Sequence, residues 1–168
     1  MKNYILALLF TLTASVVHSQ KSVQDDNFLD FWIGSWEVSW HEGDGQGSGI
    51  NKVEKILDNT TVLESFEVLT GQSKGLKGKS LSAYSAVDNC WKQTWVDNQN
   101  TYINFTAEIV DGNPSFGTIL SQHGVLVSQR MVFKDITDNS FIWDWESSSD
   151  EGMTWTSFWT IDDKRIEE

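Results

Sequence analysis

The spacing of tryptophan constrains this chain more than any other feature. Eight of its nine tryptophans fall in pairs two or four residues apart: Trp36 and Trp40, Trp91 and Trp95, Trp143 and Trp145, Trp155 and Trp159. Successive side chains on a β-strand point to opposite faces, so residues two or four apart project the same way. Each pair therefore paves one face of one strand. At least four strands carrying aromatic surface build either a large β core or a wall on which a flat ligand can stack.

The remaining pattern agrees with strands. Helical periodicity is almost absent, and Pro114 is the single proline. Asp25 and Asp26 ahead of residues 27–32 predict one short N-terminal helical turn, with acidic residues placed at its N-terminus. Ten β segments follow, at 36–41, 50–57, 61–70, 79–87, 91–97, 102–110, 115–122, 125–136, 140–147 and 153–161. Between them lie turn signals such as Gly43-Asp44-Gly45, Asp58-Asn59, Asp88-Asn89, Asp111-Gly112-Asn113 and Asp138-Asn139. Ten short strands joined mostly by hairpin-length turns predict an all-β, up-and-down antiparallel barrel, with an open β-sandwich as the alternative.

Residues 1–19 read as a cleaved signal peptide: Lys2 supplies the positive start, Tyr4 to Val17 is mostly apolar, and Val17-His18-Ser19 precedes a cut ahead of Gln20. The apolar stretch is short of the roughly 20 residues that a transmembrane helix needs. An exported protein, periplasmic or secreted, is expected. Removing the leader leaves 149 of the 168 residues as one domain, 20–168. Lys2 is the only charged residue of the leader, so the formal charge of −12 becomes −13. That balance disfavours nucleic acid and anionic lipid surfaces as partners, and membrane insertion is not expected. Cys90 is the only cysteine, which excludes an intramolecular disulfide; it reads as a buried small hydrophobe or a reactive thiol. The composition does not set the oligomeric state.

Phe31-Trp32-Ile33-Gly34-Ser35-Trp36 resembles the G-x-W start of the first strand in lipocalin-type (calycin) barrels, where the tryptophan closes the barrel floor. Residues 51–57, 63–66, 78–84 and 91–98 are similar to a group of mostly uncharacterised exported bacterial calycin-like proteins. The resemblance covers nearly the whole mature chain. It implies the barrel fold and, more loosely, the company of oligosaccharide dehydratases from marine bacterial polysaccharide degradation. No catalytic motif of such enzymes is matched residue by residue. A second motif, Ser148-Ser149-Asp150-Glu151-Gly152-Met153-Thr154-Trp155, fits the S-x-D-x-G-x-T-W Asp-box of sialidases and other sugar-active proteins. Its aspartate and glycine suit a tight turn, and that structural role is the expected one.

Candidate site residues follow from chemistry that is scarce in this chain. Tryptophan in excess of what a core requires marks a wall with one wet edge, because each indole N–H needs a partner when buried. Trp32 and Trp36 are expected at the floor, and Trp95, Trp143 and Trp145 as ligand-stacking candidates. Tyr102, Asn104 and Thr106 share one strand face, as do Gln93, Trp95 and Asp97 on the preceding strand. If these faces point inward they line a polar cavity; if outward, Ile103, Phe105, Ala107 and Ile109 fill the interior.

Arg130 is the only arginine inside a predicted strand, Arg165 being placed in a polar tail. Arg130 either clamps a substrate carboxylate with its planar fork or pairs with an exterior acid. His41, at the mouth of a loop from Gly43 to Gly49, and His123, in a turn, are general-base candidates by their unperturbed pKa near 6.5, or else exposed loop residues. Glu64 and Glu146 are mid-strand and could converge. The pairs Asp25-Asp26 and Asp162-Asp163 read as solvated ends, no metal-ligand spacing is present, and no cofactor motif occurs.

Two functions meet these constraints. The first is a carbon–oxygen lyase, an oligosaccharide dehydratase acting on uronic-acid-containing oligosaccharides by β-elimination. His123 or His41 would be its base and Tyr102 its acid, with Arg130, Asn51 and Asn104 around the carboxylate and tryptophans against the sugar. The second is a non-catalytic lipocalin-like binder of a small hydrophobic or aromatic ligand.

Overall fold

The computed structural model describes residues 23–24, 27–122 and 124–167. The expected signal peptide, Asp25, Asp26 and His123 lie outside the described residues. A 3₁₀ turn, Asp30–Trp32, is what forms of the expected N-terminal helix. It leads into ten strands: β1 (Gly34–Glu42), β2 (Gly45–Ile56), β3 (Thr61–Thr70), β4 (Lys77–Ser85), β5 (Cys90–Asp97), β6 (Tyr102–Val110), β7 (Asn113–Gln122), β8 (Val125–Lys134), β9 (Ser140–Ser148) and β10 (Thr156–Arg165). Each pairs antiparallel with its chain neighbours, and β1 also pairs with β10, from Trp36 opposite Arg165 to Ser39 opposite Asp162. The result is a closed up-and-down barrel, not a sandwich. Closure leaves no unpaired sheet edge. Among the described residues no helix is long and apolar enough to cross a membrane.

Several strand bounds differ from the sequence reading by a few residues, and two of the differences have a direct physical reason. Gly45 to Gly49 is not loop but the first part of β2, because tryptophan rings need glycine beside them. A Cβ on Gly47 would collide with the ring of Trp40, and a Cβ on Gly78 with that of Trp95. At the other end, β10 begins at Thr156 because residues 148–155 fold into a side-chain-capped turn. Asp150 accepts from the Thr154 N–H at 2.9 Å and the Thr154 hydroxyl at 2.6 Å, while Ser148 Oγ accepts from the Gly152 N–H at 2.9 Å. The Asp-box thus makes a hairpin turn, and Trp155 belongs to it, donating to the Gly152 carbonyl at 3.0 Å.

The start of β1 and the end of β10 lie at the floor of the barrel. Trp32 and Trp36, 2% and 0% exposed, pack there with Phe28, Leu29 and Phe141. A buried indole removes roughly 150–250 Å² from water, equivalent to about 4–6 kcal/mol before entropic costs. Trp36 Nε1 donates to the Trp32 carbonyl at 2.9 Å. Arg165 is not in a polar tail: it ends β10 with its guanidinium 4.0 Å from the centre of the Trp36 ring, donating to the carbonyls of Ile33, Phe31 and Asp138. Gly34, at φ +143°, leaves the space that this guanidinium fills.

Candidate functional site

Alternation along each strand sorts side chains into lumen and exterior, and the lumen has two unlike sides. On β6, β8 and β9 the inward positions are Phe105, Met131, Phe133, Phe141, Trp143 and Trp145, all facing one cavity. On β2, β3, β5 and β10 they include Asn51, Glu64, Gln93 and Asp163, which line the same cavity. Its volume is about 60 Å³, room for a few waters or a small ligand fragment. Trp32 forms its floor, while Leu76, from the β3–β4 connection, and Trp159 close in near the mouth.

The aromatic side is a mesh of rings meeting edge to face. Trp143 lies 5.6 Å from Trp145 and 5.7 Å from Trp159, with interplanar angles of 87° and 84°. Trp40 meets Trp159 at 5.4 Å and 85°, and Phe66 meets both Trp95 and Trp159 at 6.3 Å. Such contacts are worth about 0.5–1.5 kcal/mol each beyond area burial. Indole N–H groups at the rim are partnered: Trp40 donates to Glu42 at 2.6 Å and Trp95 to Asp97 at 3.1 Å. Deeper in the barrel Trp36 is partnered too, but two other indoles are not. Trp32 Nε1, Trp145 Nε1 and Asn51 Oδ1 are buried without a hydrogen-bond partner.

The polar side centres on Glu64. Its inward neighbours on β3 are Val62, Phe66 and Val68, so pattern alone carries a carboxyl into the interior. Asn51 Nδ2 donates to Oε1 at 2.9 Å, and Ser80 Oγ to Oε2 at 2.7 Å. Burial, opposed by these two bonds, raises the carboxyl from 4.5 to about 7. Asp163 is 3% exposed. Burial, the charge of Glu64 and that of Asp162 together push its carboxyl well above the ordinary aspartate range. Reading Asp162-Asp163 as a solvated end is therefore corrected for Asp163. Because β10 runs on to Arg165, Asp163 continues the inward face of Ile161 while Asp162 points out. No lysine, arginine or histidine among the described residues lines the cavity.

The residues singled out from sequence separate into two groups. Asn51, Trp95, Trp143 and Trp145 come together on the cavity wall. Arg130, Tyr102, Asn104 and His41 do not join them. Arg130 is on the outer face of β8, its Nε 2.6 Å from Glu146 and its guanidinium 3.8 Å from the centre of the Trp155 ring. Tyr102 and Asn104 are exposed on the outside of β6, while Ile103, Phe105 and Ala107 fill the interior. Hydrogen bonds from Thr94 and Asn104 lower the pKa of Tyr102 there. His41, opposite Gln46, is exposed on the outer side of β1. Glu64 and Glu146 do not converge, because β9 turns Glu146 and Asp144 outward. There Lys134 bridges them at 2.7 and 2.6 Å. Burial would raise Asp144, but Lys134, Ser157 and Thr160 outweigh it and hold the carboxyl below the usual range. Cys90, first residue of β5, is partly buried and free. Among the described residues no group of acidic, histidine or cysteine side chains has metal-binding geometry.

The class this geometry defines is a closed ten-stranded antiparallel β-barrel with an internal aromatic cavity. Among solved structures the chain is similar to a de novo designed fluorescence-activating β-barrel, with 10% identity, a TM-score of 0.45, and 84% of this chain and 99% of the designed one covered. No family model and no curated protein matches the chain.

Proposed function

We propose that this chain is an exported calycin-like barrel whose lumen binds a small, flat, largely apolar molecule through a few polar contacts. One observation carries the reading: among the described residues the three buried polar side-chain atoms without partners, on Trp32, Trp145 and Asn51, all belong to residues lining one cavity. An unpartnered buried donor or acceptor costs about 1–3 kcal/mol, and an occupant that bonds to it offsets that cost. Apolar walls with a small number of converging polar groups are the usual makeup of small-molecule sites. Residues 31–36, with the two tryptophans they set at the floor, support the calycin-like assignment.

The test is a titration followed by intrinsic tryptophan fluorescence and thermal shift, using small ring compounds and uronic-acid oligosaccharides side by side. Saturable fluorescence change and a raised Tm with ring compounds are the expected outcome. No response to any of them would overturn it.

A second reading, turnover in the same cavity, is favoured by Glu64, because a carboxyl at about 7 exchanges protons readily near neutrality. In a carbon–oxygen lyase Glu64 would serve as the base, replacing the histidines expected from sequence. A uronate carboxylate would face Glu64 and Asp163 without a cation beside it, so a substrate lacking a free carboxylate at that point suits the cavity better. An oligosaccharide product lighter by one water, with new ultraviolet absorbance, would establish the lyase over the binder.

A further inference from the structure

We propose that the cavity recognises an organic cation: an amine or ammonium head seated among Glu64, Asp163 and Asn51, with a flat apolar body against Trp143, Trp145 and Trp159. This rests on the ligand-binding reading above and names the chemical class of the ligand.

Three independent features meet at that corner. The first is charge. Glu64 and Asp163 are two buried carboxyls, 8% and 3% exposed, in a cavity with no cationic lining residue among those described. Arg165, two residues beyond Asp163, is committed to floor carbonyls and to Trp36, and Lys134 and Arg130 are held on the exterior by Asp144 and Glu146. Among the described residues neither luminal acid has an ion-pair partner, and a ligand supplies one.

The second is hydrogen-bond polarity. Asn51 spends its amide N–H on Glu64, and Ser80 spends its hydroxyl proton there too. What remains toward the cavity is the Asn51 carbonyl oxygen, buried and unpartnered, together with carboxyl oxygens. Ionised carboxylates only accept. Once the two acids ionise, the corner presents acceptors alone and asks for a donor with several N–H groups, which an ammonium is and a carboxylate or ether is not.

The third is the aromatic lining. Indole rings attract cations, more strongly when the pair is desolvated. Trp143 and Trp145 of β9 and Trp159 of β10 line the same cavity as the two carboxyls.

Proton linkage follows from the same arrangement. Burial, and at Asp163 the charge of Glu64 as well, favours the neutral carboxyls when the cavity holds no cation. An arriving ammonium reverses that preference, so its binding expels protons and strengthens as pH rises through about 7. Asp162, outside on β10, also acts on Asp163, and Ser80 and Asn51 bear on Glu64 through their hydrogen bonds.

The experiment is calorimetric titration of the mature chain with three probes of matched shape: benzylamine, benzyl alcohol and benzoate. At about pH 8 benzylamine should bind at least about tenfold more tightly than benzyl alcohol, and at about pH 5.5 most of that preference should vanish. Between these limits the binding heat should depend on the buffer's ionisation enthalpy, reporting proton release. Glu64→Gln and Asp163→Asn should each lose about tenfold in benzylamine affinity and keep benzyl alcohol affinity. Benzyl alcohol or benzoate binding as tightly as benzylamine at about pH 8 would overturn cation recognition and leave the ligand-binding reading standing. Silence with all three probes would overturn both. If either variant fails to unfold cooperatively, the wild-type comparison of charged and neutral probes still decides.

Discussion

Burial holds the Glu64 carboxyl at about 7, against 4.5 for the free group. The native state keeps this proton over a range in which the unfolded chain releases it, so stability falls as pH rises from about 4.5 to about 7 and levels off above. Each pH step of one across that interval costs about 1.4 kcal/mol, which brings the whole change to the order of 3 kcal/mol. Asp163, raised by the same burial, adds in the same direction. Urea unfolding at about pH 5 and about pH 8 should show the loss, and Glu64→Gln should remove the Glu64 share of it while that of Asp163 persists. The glycines under tryptophan rings set a second single-residue expectation. Gly78→Ala places a methyl into the Trp95 ring, and Gly47→Ala one into Trp40. Each should cost about 1–3 kcal/mol in denaturant unfolding, as overpacking does. Glu64 was legible in principle, since it interrupts the inward series Val62, Phe66, Val68 with a charge. Tyr102 and Asn104 were not decidable: an alternating strand reads equally well with either face inward when polar and aromatic residues share the lumen.

At the level of elements, strand positions were largely readable, because tryptophans two or four apart and Asp-Asn or Asp-Gly turns mark segment and break alike. Asn89, Asp111, Asp58 and Asn59 do take positive φ at those turns. What the pattern did not reveal was that β8 and β9 bury charge on their outer faces. There Arg130, Lys134, Asp144 and Glu146 form a ladder, with Ser157 and Thr160 of β10 donating to Asp144 at 2.8 and 2.9 Å. Arginine beside glutamate is as compatible with a substrate clamp as with such a ladder, and only the parity of β8 separates the two. Glu146→Gln leaves Arg130 and Lys134 short of a partly buried partner, so unfolding free energy should drop by about 1–3 kcal/mol while ligand affinity is unchanged. Titrating the variant with the ring compounds named above checks both halves. In the β9–β10 turn, bonds from Thr154 and Ser148 bring Asp150 down to about 2. The support it gives is present above about pH 4 and is lost as pH falls toward 2, so amide exchange at Thr154 should accelerate over that interval.

Over the whole molecule, the barrel closes where its first and last strands meet, and Arg165 locks that seam. Its guanidinium spans Phe31, Ile33 and Asp138 and covers Trp36, which a lysine's single ammonium does not reproduce. Arg165→Ala should lower the unfolding free energy by at least about 2 kcal/mol, with Arg165→Lys rescuing only part, as read from thermal and urea unfolding. Sequence placed Arg165 in a tail because the polar run after Ile161 conceals a strand whose outward residues are charged and whose inward ones are Asp163 and Arg165.

The seam also orders events in time. Arg165 bonds to Ile33 across 132 residues, so β1 has no partner on one side until β10 has been made. Every contact across that junction is long-range, which places folding at the slow end for a chain of this size. Until then two strand edges stand open to other chains. The ten residues of β10 therefore act as a clock: a nascent or truncated chain ending before Thr156 should remain chaperone-dependent and prone to aggregation, however much of the barrel it already contains.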